Sequence, residues 1–260
     1  GISALGDATE IKLNADESVS FVLVYGMYET AGNEYQGKSF SANVNILATQ
    51  LNSEEDGFGN PDYDENATYD ATNQEELSTA LVQGGSVSIG SDVTFAKATT
   101  ISGDTQTMLN LRNNSKVTFT GAGIIDLNNS AQLTINGKGT LNQDWESELG
   151  LLIRANDDSR VVIESGTFIS GLTCVQADEN AQVEIYGGHF EALVDWNGTY
   201  WLLNLIDNSN ASITVYGGTF VNFDPSHSNT ENPEANFVAD GYKVVSEQHG
   251  DDTWYTVVPE

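Results

Sequence analysis

The sequence repeats one short pattern four times: VVIESGTF at 161–168, VEIYGGHF at 183–190, ITVYGGTF at 213–220 and, more loosely, VTFTGAGI at 117–124. Each copy has two apolar residues at alternate positions, then a corner containing glycine, then an apolar residue seven positions after the first. Alternate side chains of a strand point to the same side, so each copy has an apolar face that it cannot cover alone. The copies must stack on one another, and the pattern predicts a solenoid of β-strands.

Aligning the copies predicts three ladders of inward side chains. The first consists of Val117, Leu133, Val161, Val183 and Ile213, with steps of 16, 28, 22 and 30 residues. A 22-residue step suits one bare coil of a parallel β-helix and longer steps imply loops; the 16-residue step is short, so Leu133 fits least well. The second ladder is Phe119, Ile135, Ile163, Ile185 and Val215, and the third is Ile124, Phe168, Phe190 and Phe220.

Polar turns precede these ladders: RNNS, LNNS, NDDS, DENA and DNSN. Asn and Asp tolerate left-handed backbone and bond to nearby backbone groups, so the turns predict left-handed corners with an asparagine stack.

The segments that flank the repeats predict a cap at each end. TNQEELSTALV at 72–82 is typical of a short helix, in which Thr72 and Glu75 fit a capping box and one face carries Leu77, Ala80 and Leu81. A solenoid end exposes an apolar core and unpaired strand edges, so we assign this helix to cover them. NFVADGYKVVSEQHGDDTWYTVV at 236–258 breaks the repeat and predicts a closing hairpin.

Composition restricts the partners. Asp plus Glu number 38 against 9 Lys plus Arg, a net charge of −29, which disfavours nucleic acid and anionic membrane surfaces. No stretch approaches the roughly 20 apolar residues that cross a bilayer, so we predict no membrane insertion. The single cysteine, Cys174, lies in the apolar run GLTCVQA and predicts a buried structural thiol. Because Gly1 is not followed by a basic and apolar leader, we expect any export signal to be removed.

Residues 1–51 predict a separate small β unit. SVSFVLVYGMY and SFSANVNILATQ alternate on either side of a turn, with Val22, Val24, Val44 and Ile46 as inward positions. The segment SVSFVLVYGMYETAGNEYQGKSFSANVNILATQ resembles the closing strands of the camelysin and TasA family, exported β-sandwich proteins of Gram-positive surfaces and biofilm fibres. The earlier strands of that sandwich are absent. The resemblance implies an extracellular, cell-surface protein, and the fibres of that family make self-association credible. Because the earlier strands are absent, the alternatives for the unit are closure as a sandwich, docking on the solenoid, or borrowing a strand from another chain.

Residues 84–257 resemble right-handed parallel β-helix proteins of the pectate-lyase-like superfamily. The predicted fold class is therefore all-β: a right-handed parallel β-helix with an N-terminal cap helix and a small N-terminal β-sandwich-like unit. The predicted domains are the β unit at 1–51, an acidic linker at 52–70 and the capped β-helix with its closing hairpin at 71–260. The superfamily includes lyases, hydrolases, phage spikes and adhesins, so the fold does not decide the function.

The sequence offers no convincing catalytic set. A pectate-lyase-type elimination needs a basic side chain facing calcium, and the only arginines are Arg112, Arg154 and Arg160, in turns or strand ends where side chains are commonly solvated. Asp157 and Asp158 precede Asn229, Thr230 and Glu231, then His249 and Gly250, which is not the order of the polygalacturonase-like motifs. Three scattered histidines, His189, His227 and His249, disfavour a transition-metal site. We therefore predict no catalytic residue.

The linker permits one metal hypothesis. Asp62, Asp64 and Asn66 have the spacing of the first three ligands of an EF-hand loop, with Asp70 at the ninth position. Ala67 stands where that loop needs glycine, and Asn73 stands where it needs a bidentate Glu. The alternatives are a solvated acidic linker and a weak calcium site, and calcium is the one cofactor that the sequence suggests.

Tryptophan placement is the clearest functional signal. Trp145, Trp196 and Trp201 fall in or beside two insertions, NQDWESELG after Leu141 and EALVDWNGTYW after Phe190. Both leave the same part of the repeat, two rungs apart, so they should lie roughly 10 Å from each other, about the width of a sugar chain. Aromatic faces beside polar groups suit a neutral glycan. The predicted groove also includes Tyr200, Asp144, Glu146, Asp195 and Asn197.

Two functions remain open from sequence. The first is a cell-surface structural or adhesin-like protein whose rigid face binds neutral glycan or matrix. The alternative is a carbohydrate-active enzyme, a polysaccharide lyase or glycoside hydrolase, whose carboxylates would lie in the same loops. A third interpretation of the aromatic residues is purely structural: Trp145 and Trp201 would cover the apolar flank of the coil.

Overall fold

The structure is a computed structural model that describes residues 69–112, 114–145, 150–231 and 233–260, with only the backbone of 69 and 70. The chain divides into two units, Gly1–Ala67 and Thr68–Glu260, and the described residues belong to the second. The predicted β-sandwich-like unit and most of the acidic linker lie outside the described residues.

The described chain passes through three sheets in turn. Sheet 1 contains β1 (Tyr69–Asp70), β2 (Gly85–Ile89), β5 (Gln106–Leu111), β8 (Gln132–Gly137), β11 (Arg160–Ile163), β14 (Gln182–Ile185) and β17 (Ser212–Val215). Sheet 2 contains β3 (Val93–Phe95), β6 (Lys116–Phe119), β9 (Thr140–Gln143), β12 (Thr167–Ser170), β15 (His189–Ala192) and β18 (Gly218–Val221), followed by β20 (Asp252–Pro259) and β19 (Tyr242–His249). Sheet 3 contains β4 (Ala98–Ile101), β7 (Ile124–Leu127), β10 (Leu151–Ala155), β13 (Thr173–Ala177) and β16 (Leu203–Leu205).

These strands build five complete coils, from β2–β3–β4 to β14–β15–β16. Neighbouring coils pair in parallel throughout, and only the terminal strands β20 and β19 run antiparallel. The predicted parallel β-helix is confirmed. Strands β6, β14 and β17, for example, bury alternate side chains toward the axis, as the repeat pattern requires.

Like residues stack on like residues in the core. Phe168, Phe190 and Phe220 lie in register in sheet 2, with ring centroids 4.8 Å apart and planes inclined by only 7° at both contacts. All three side chains are fully buried. In-register parallel pairing places equivalent residues one strand spacing apart, which brings repeated phenylalanines into ring contact. Phe95 and Phe119 are also in register in sheet 2, but their planes are inclined by 58°.

The predicted ladders are correct in their later members and wrong at the copy 117–124. Leu133, Val161, Val183 and Ile213 do align in sheet 1, as do Ile135, Ile163, Ile185 and Val215. Val117 instead pairs with Leu141 and Phe119 with Gln143 in sheet 2, while Ile124 pairs with Ala98 in sheet 3. The copy 117–124 has the right alternation but begins one sheet later, because alternation alone does not say which sheet a strand enters.

The polar turns also divide between corners. RNNS follows sheet 1, whereas LNNS, NDDS, DENA and DNSN join sheet 3 to sheet 1. At the latter corner Asn129, Asp157 and Glu179 have φ of 58°, 53° and 57°, which confirms the left-handed prediction. The asparagine stack is short: Asn156 Nδ2 donates to Asn128 Oδ1 at 3.1 Å, and an aspartate occupies the next coil.

The N-terminal cap is helix α1 (Gln74–Gln83), with Leu77, Ala80 and Leu81 buried. The predicted capping box of Thr72 with Glu75 is wrong by one residue. Asn73 is the N-cap, and its side chain accepts from the N–H of Glu76 at 3.1 Å. The carboxylate of Glu76 accepts from both N and Oγ1 of Thr72 at 2.8 Å. Asn and Thr are both favoured N-cap residues, so residue type alone did not show whether the helix begins after Thr72 or after Asn73.

The C-terminal residues close the other end. The N–H of Val215 donates to Phe237 O at 2.7 Å, and Glu231 Oε1 accepts from Leu205 N at 3.2 Å, so the crossing segment bonds to the last strands of sheets 1 and 3. Sheet 2 is extended by the hairpin β19–β20, which confirms the predicted closing hairpin.

Candidate functional site

The two tryptophan-bearing insertions leave the coil at the same corner. One joins β9 to β10, and the other joins β15 to β16, so both connect sheet 2 to sheet 3. Between them β12 reaches β13 through only Gly171 and Leu172. The two insertions therefore leave the coil at one corner, two strand spacings apart, as the sequence predicts.

Trp196 is presented by a two-residue hairpin turn. Its N–H donates to Thr199 O at 2.9 Å, and the N–H of Thr199 donates back to Trp196 O at 3.1 Å. Asn197 and Gly198 have φ of 54° and 79°, the paired positive values of a type I′ turn. Asp195 Oδ1 also accepts from Gly198 N at 2.6 Å. The turn is thus held by three hydrogen bonds, and Trp196 is 45% exposed.

Trp201 packs against Trp196. The two ring centroids are 5.5 Å apart, with planes inclined by 47°. Trp201 and Tyr200 are half-buried, and Tyr200 packs against the core of the coil. The Nε1–H of Trp201 is shielded from solvent and donates to no described residue. Trp196 is therefore the most exposed aromatic side chain of this insertion, and Trp201 packs against it.

The first insertion contributes less to what is described. Trp145 is half-buried and Asp144 is exposed. Within the described part of the chain, no ring contact joins Trp145 to Trp196 or Trp201. Glu146 and Glu148 lie outside the described residues.

A second surface carries paired carboxyl groups. At the corner from sheet 3 to sheet 1, Asp157 and Glu179 occupy the same position on adjacent coils, and Asp157 N donates to Glu179 Oε2 at 2.9 Å. The N–H of Asn129 and then the hydrogen bond to Glu179 lower the pKa of Asp157. The side-chain hydrogen bond with Asp157 raises the pKa of Glu179, and the bond from the N–H of Asp157 opposes this only in part. Glu179 is exposed and Asp157 is partly exposed, and both border an open groove of about 520 Å³.

Two of the arginines weighed as lyase bases are ion-paired to carboxylates on adjacent coils, while their side chains remain 42% exposed. Arg154 donates to both oxygens of Asp126, at 2.7 and 2.6 Å, across adjacent strands of sheet 3. This bidentate hydrogen bond raises the pKa of Arg154 and removes it further from use as a base. Arg160 pairs with Glu184 on the outer face of sheet 1.

Ser226, His227 and Asp224 lie together but lack the arrangement of a catalytic triad. The Oγ of Ser226 lies 2.8 Å from His227 Nδ1 and donates to Asp224 Oδ1 at 2.7 Å, and Asp224 Oδ2 lies 3.6 Å from the same Nδ1, so both residues face one nitrogen of the imidazole. Cys174 is fully buried, as predicted, and burial raises the pKa of its thiol to about 12.

Two aromatic features escaped the sequence analysis. Tyr186 and Tyr216 stack on adjacent coils with centroids 4.7 Å apart and planes inclined by 5°, and Tyr186 is 49% exposed. The repeated YGG of two copies was the available signal. The second is Trp254, which lies against His189 at 4.9 Å and His249 at 4.1 Å on the outer face of sheet 2.

The calcium hypothesis stays a prediction. Asp62, Asp64 and Asn66 lie outside the described residues, and Asp70 is described only as backbone, paired with Ser88 in sheet 1. Among the described residues no group of three or more His, Cys, Asp or Glu side chains is placed to hold a metal ion. In the same part of the chain, no helix is long and apolar enough to cross a membrane.

Comparisons of this chain with protein-family models, with curated proteins and with solved structures found no match.

Proposed function

We propose that this protein is a rigid structural or adhesive scaffold that binds neutral glycan through Trp196. The carrying observation is the hairpin turn of 195–199, which holds a half-exposed indole at the tip of a loop by three hydrogen bonds. Ordering a flexible loop on binding costs free energy, and a pre-organised aromatic face avoids that cost.

Charge and chemistry favour a neutral ligand. The net charge of −29 repels polyanionic polysaccharides, whereas the hydroxyl groups of a neutral sugar can bond to carboxylates and amides. Asp195 and Asn197 flank the indole in sequence and are exposed. A sugar ring stacked on Trp196 would therefore find acceptors and donors at its edge.

The extracellular, cell-surface location is part of the proposal and rests on the resemblance of residues 18–50. The same resemblance supports a matrix component as an alternative binding partner, and it supports self-association through the N-terminal β unit.

The proposal is tested by affinity electrophoresis of the full chain in gels that contain neutral or acidic polysaccharides. We expect retardation by at least one neutral glycan and none by polyuronates. Trp196→Ala should weaken binding roughly thirty-fold, the effect of truncating a central aromatic contact. Leu193→Ala is the matched control, because Leu193 is also exposed, at 37%, in the same insertion but offers no aromatic face. Equal binding by wild type and Trp196→Ala, with an unchanged melting temperature, would reject the site.

The enzyme alternative has one observation in its favour, the Asp157–Glu179 pair. Their pKa values are displaced in opposite directions, as acid and base roles require. The open groove and the exposure of Glu179 argue against catalysis, since active-site carboxyls are usually shielded from water. Release of reducing or unsaturated ends from the same polysaccharides, lost in Glu179→Gln, would favour the enzyme; binding without release favours the scaffold.

A further inference from the structure

Strand β19 forms an open edge of sheet 2. It is bonded to β20 on one side, and no other described strand lies on its outer side. The strand is eight residues long and mostly exposed, with Val245 at 46%. An edge of this length presents a row of unpaired N–H and C=O groups that can bond to another strand.

The hairpin geometry identifies the outward backbone groups. Glu260 N donates to Gly241 O at 2.9 Å, and a two-residue turn joins His249 to Asp252. In an antiparallel pair, residues bonded to the neighbour alternate with residues whose groups point away. The odd-numbered residues of β19 therefore bond to β20. Pro259 agrees with this assignment, because it has no N–H to donate and lies opposite Tyr242, an even-numbered residue. Since the N–H of Tyr242 is already bonded to Ala239 O, both backbone groups face outward at Val244, Ser246 and Gln248.

The side chains along this edge are arranged symmetrically about Val245. Lys243, Val245 and Glu247 share the outer face of the sheet and are exposed. Edges that resist association commonly carry like charges or inward-pointing charges, which a second copy would repel. Here a basic and an acidic residue lie at equal distances on either side of an apolar one.

We propose that β19 pairs with β19 of a second copy of this chain, antiparallel, about a two-fold axis through Val245. Bonding among even-numbered residues requires the axis to pass through a residue, not between two residues. An axis at Val244 or Ser246 would place Lys243 opposite Val245 or His249 of the partner subunit. The axis at Val245 places Lys243 opposite Glu247 of the partner subunit and brings the two exposed valines together.

This register uses the stronger kind of side-chain contact. Lys243, Val245 and Glu247 occupy the non-hydrogen-bonded pairs, in which opposite side chains lie closest. Opposite charges directly across such a pair stabilise it and like charges destabilise it. The two-fold axis doubles each effect, because every dimer contains two Lys243–Glu247 pairs.

The test is sedimentation equilibrium of the full chain and of charge-reversal variants near physiological salt. The wild type should form a dimer. Lys243→Glu and Glu247→Lys should each raise the dimer dissociation constant about tenfold, equivalent to about 1.4 kcal/mol, and the double variant should restore it. Lys138→Glu is the control at an exposed site away from β19. It makes the same change in net charge as Lys243→Glu and should leave the dimer dissociation constant unchanged.

A backbone variant provides an independent check. Val244→Pro removes an N–H that β20 does not use, so the hairpin should survive while dimerisation is lost. A monomeric wild type would overturn the proposal. So would a dimer that tolerates both Val244→Pro and the single charge reversals, which would assign association to another surface such as residues 1–51.

Discussion

Glu231 shows how one side chain can couple the C-terminal cap to pH. Its carboxylate is buried and accepts from Leu205 N at 3.2 Å and from Thr230 Oγ1 at 3.1 Å. Burial raises the pKa of Glu231, and the two hydrogen bonds offset this only in part. The folded protein thus holds the Glu231 proton more tightly than the unfolded chain does.

The sign of the pH effect follows from linkage. A carboxyl whose pKa is raised on folding stabilises the protein below its ordinary value near 4.5, and that stability is lost as pH rises through the raised pKa. We expect Glu231→Gln, which keeps an oxygen for Leu205 N, to lessen the fall of melting temperature with pH in this window. Glu234→Gln, an exposed change of equal charge on the same cap, is the control. Parallel curves for the wild type and Glu231→Gln would contradict the prediction.

Among the elements, helix α1 owes its register to Asn73. The side chain of Asn73 satisfies one of the helix's unpaired N–H groups, and Gln74 Oε1 also accepts from Ala96 N at 2.9 Å in the connection between β3 and β4. Two adjacent residues, Asn73 and Gln74, therefore fix where the helix begins and attach it to the first coil.

We expect Asn73→Ala to lower the free energy of unfolding by about 1 kcal/mol, the usual cost of losing an N-cap. Thr79→Ala, at an exposed position inside α1, should leave stability unchanged or slightly higher, since alanine favours helix. Urea unfolding measures both. An Asn73→Ala variant as stable as the Thr79→Ala control would show that the cap bond contributes nothing.

At the scale of the whole molecule, charge opposes the compact state. A net charge of −29 on 260 residues makes self-repulsion a general destabilising effect. The screening length falls to about 10 Å at 0.1 M salt and shrinks further above it.

We expect the melting temperature of the full chain to rise with sodium chloride, because screening weakens this repulsion. Calcium chloride at equal ionic strength should give the same melting temperature if the effect is screening alone. A larger rise with calcium, abolished by Asp64→Ala, would instead support the linker site. A melting temperature that falls with sodium chloride would contradict the expectation.

The sequence by itself determined the architecture and one part of the site. Alternating apolar residues and a glycine corner are local properties, so VEIYGGHF and ITVYGGTF specify a stacking rung wherever they occur. The shared corner of the two tryptophan-bearing insertions was also predicted. The hairpin turn of Trp196 was not, although Asn197-Gly198 is a pair that favours a type I′ turn by its own backbone preference.

Only the tertiary structure decided which sheet each strand enters. The copy at 117–124 looks like a rung of sheet 1 but starts in sheet 2, because coils differ in loop length and alternation carries no such information. The open edge of β19 depends on how the closing hairpin joins sheet 2, so it appears only in three dimensions. Local preference specifies the rung; contacts between residues more than 20 positions apart specify its neighbours.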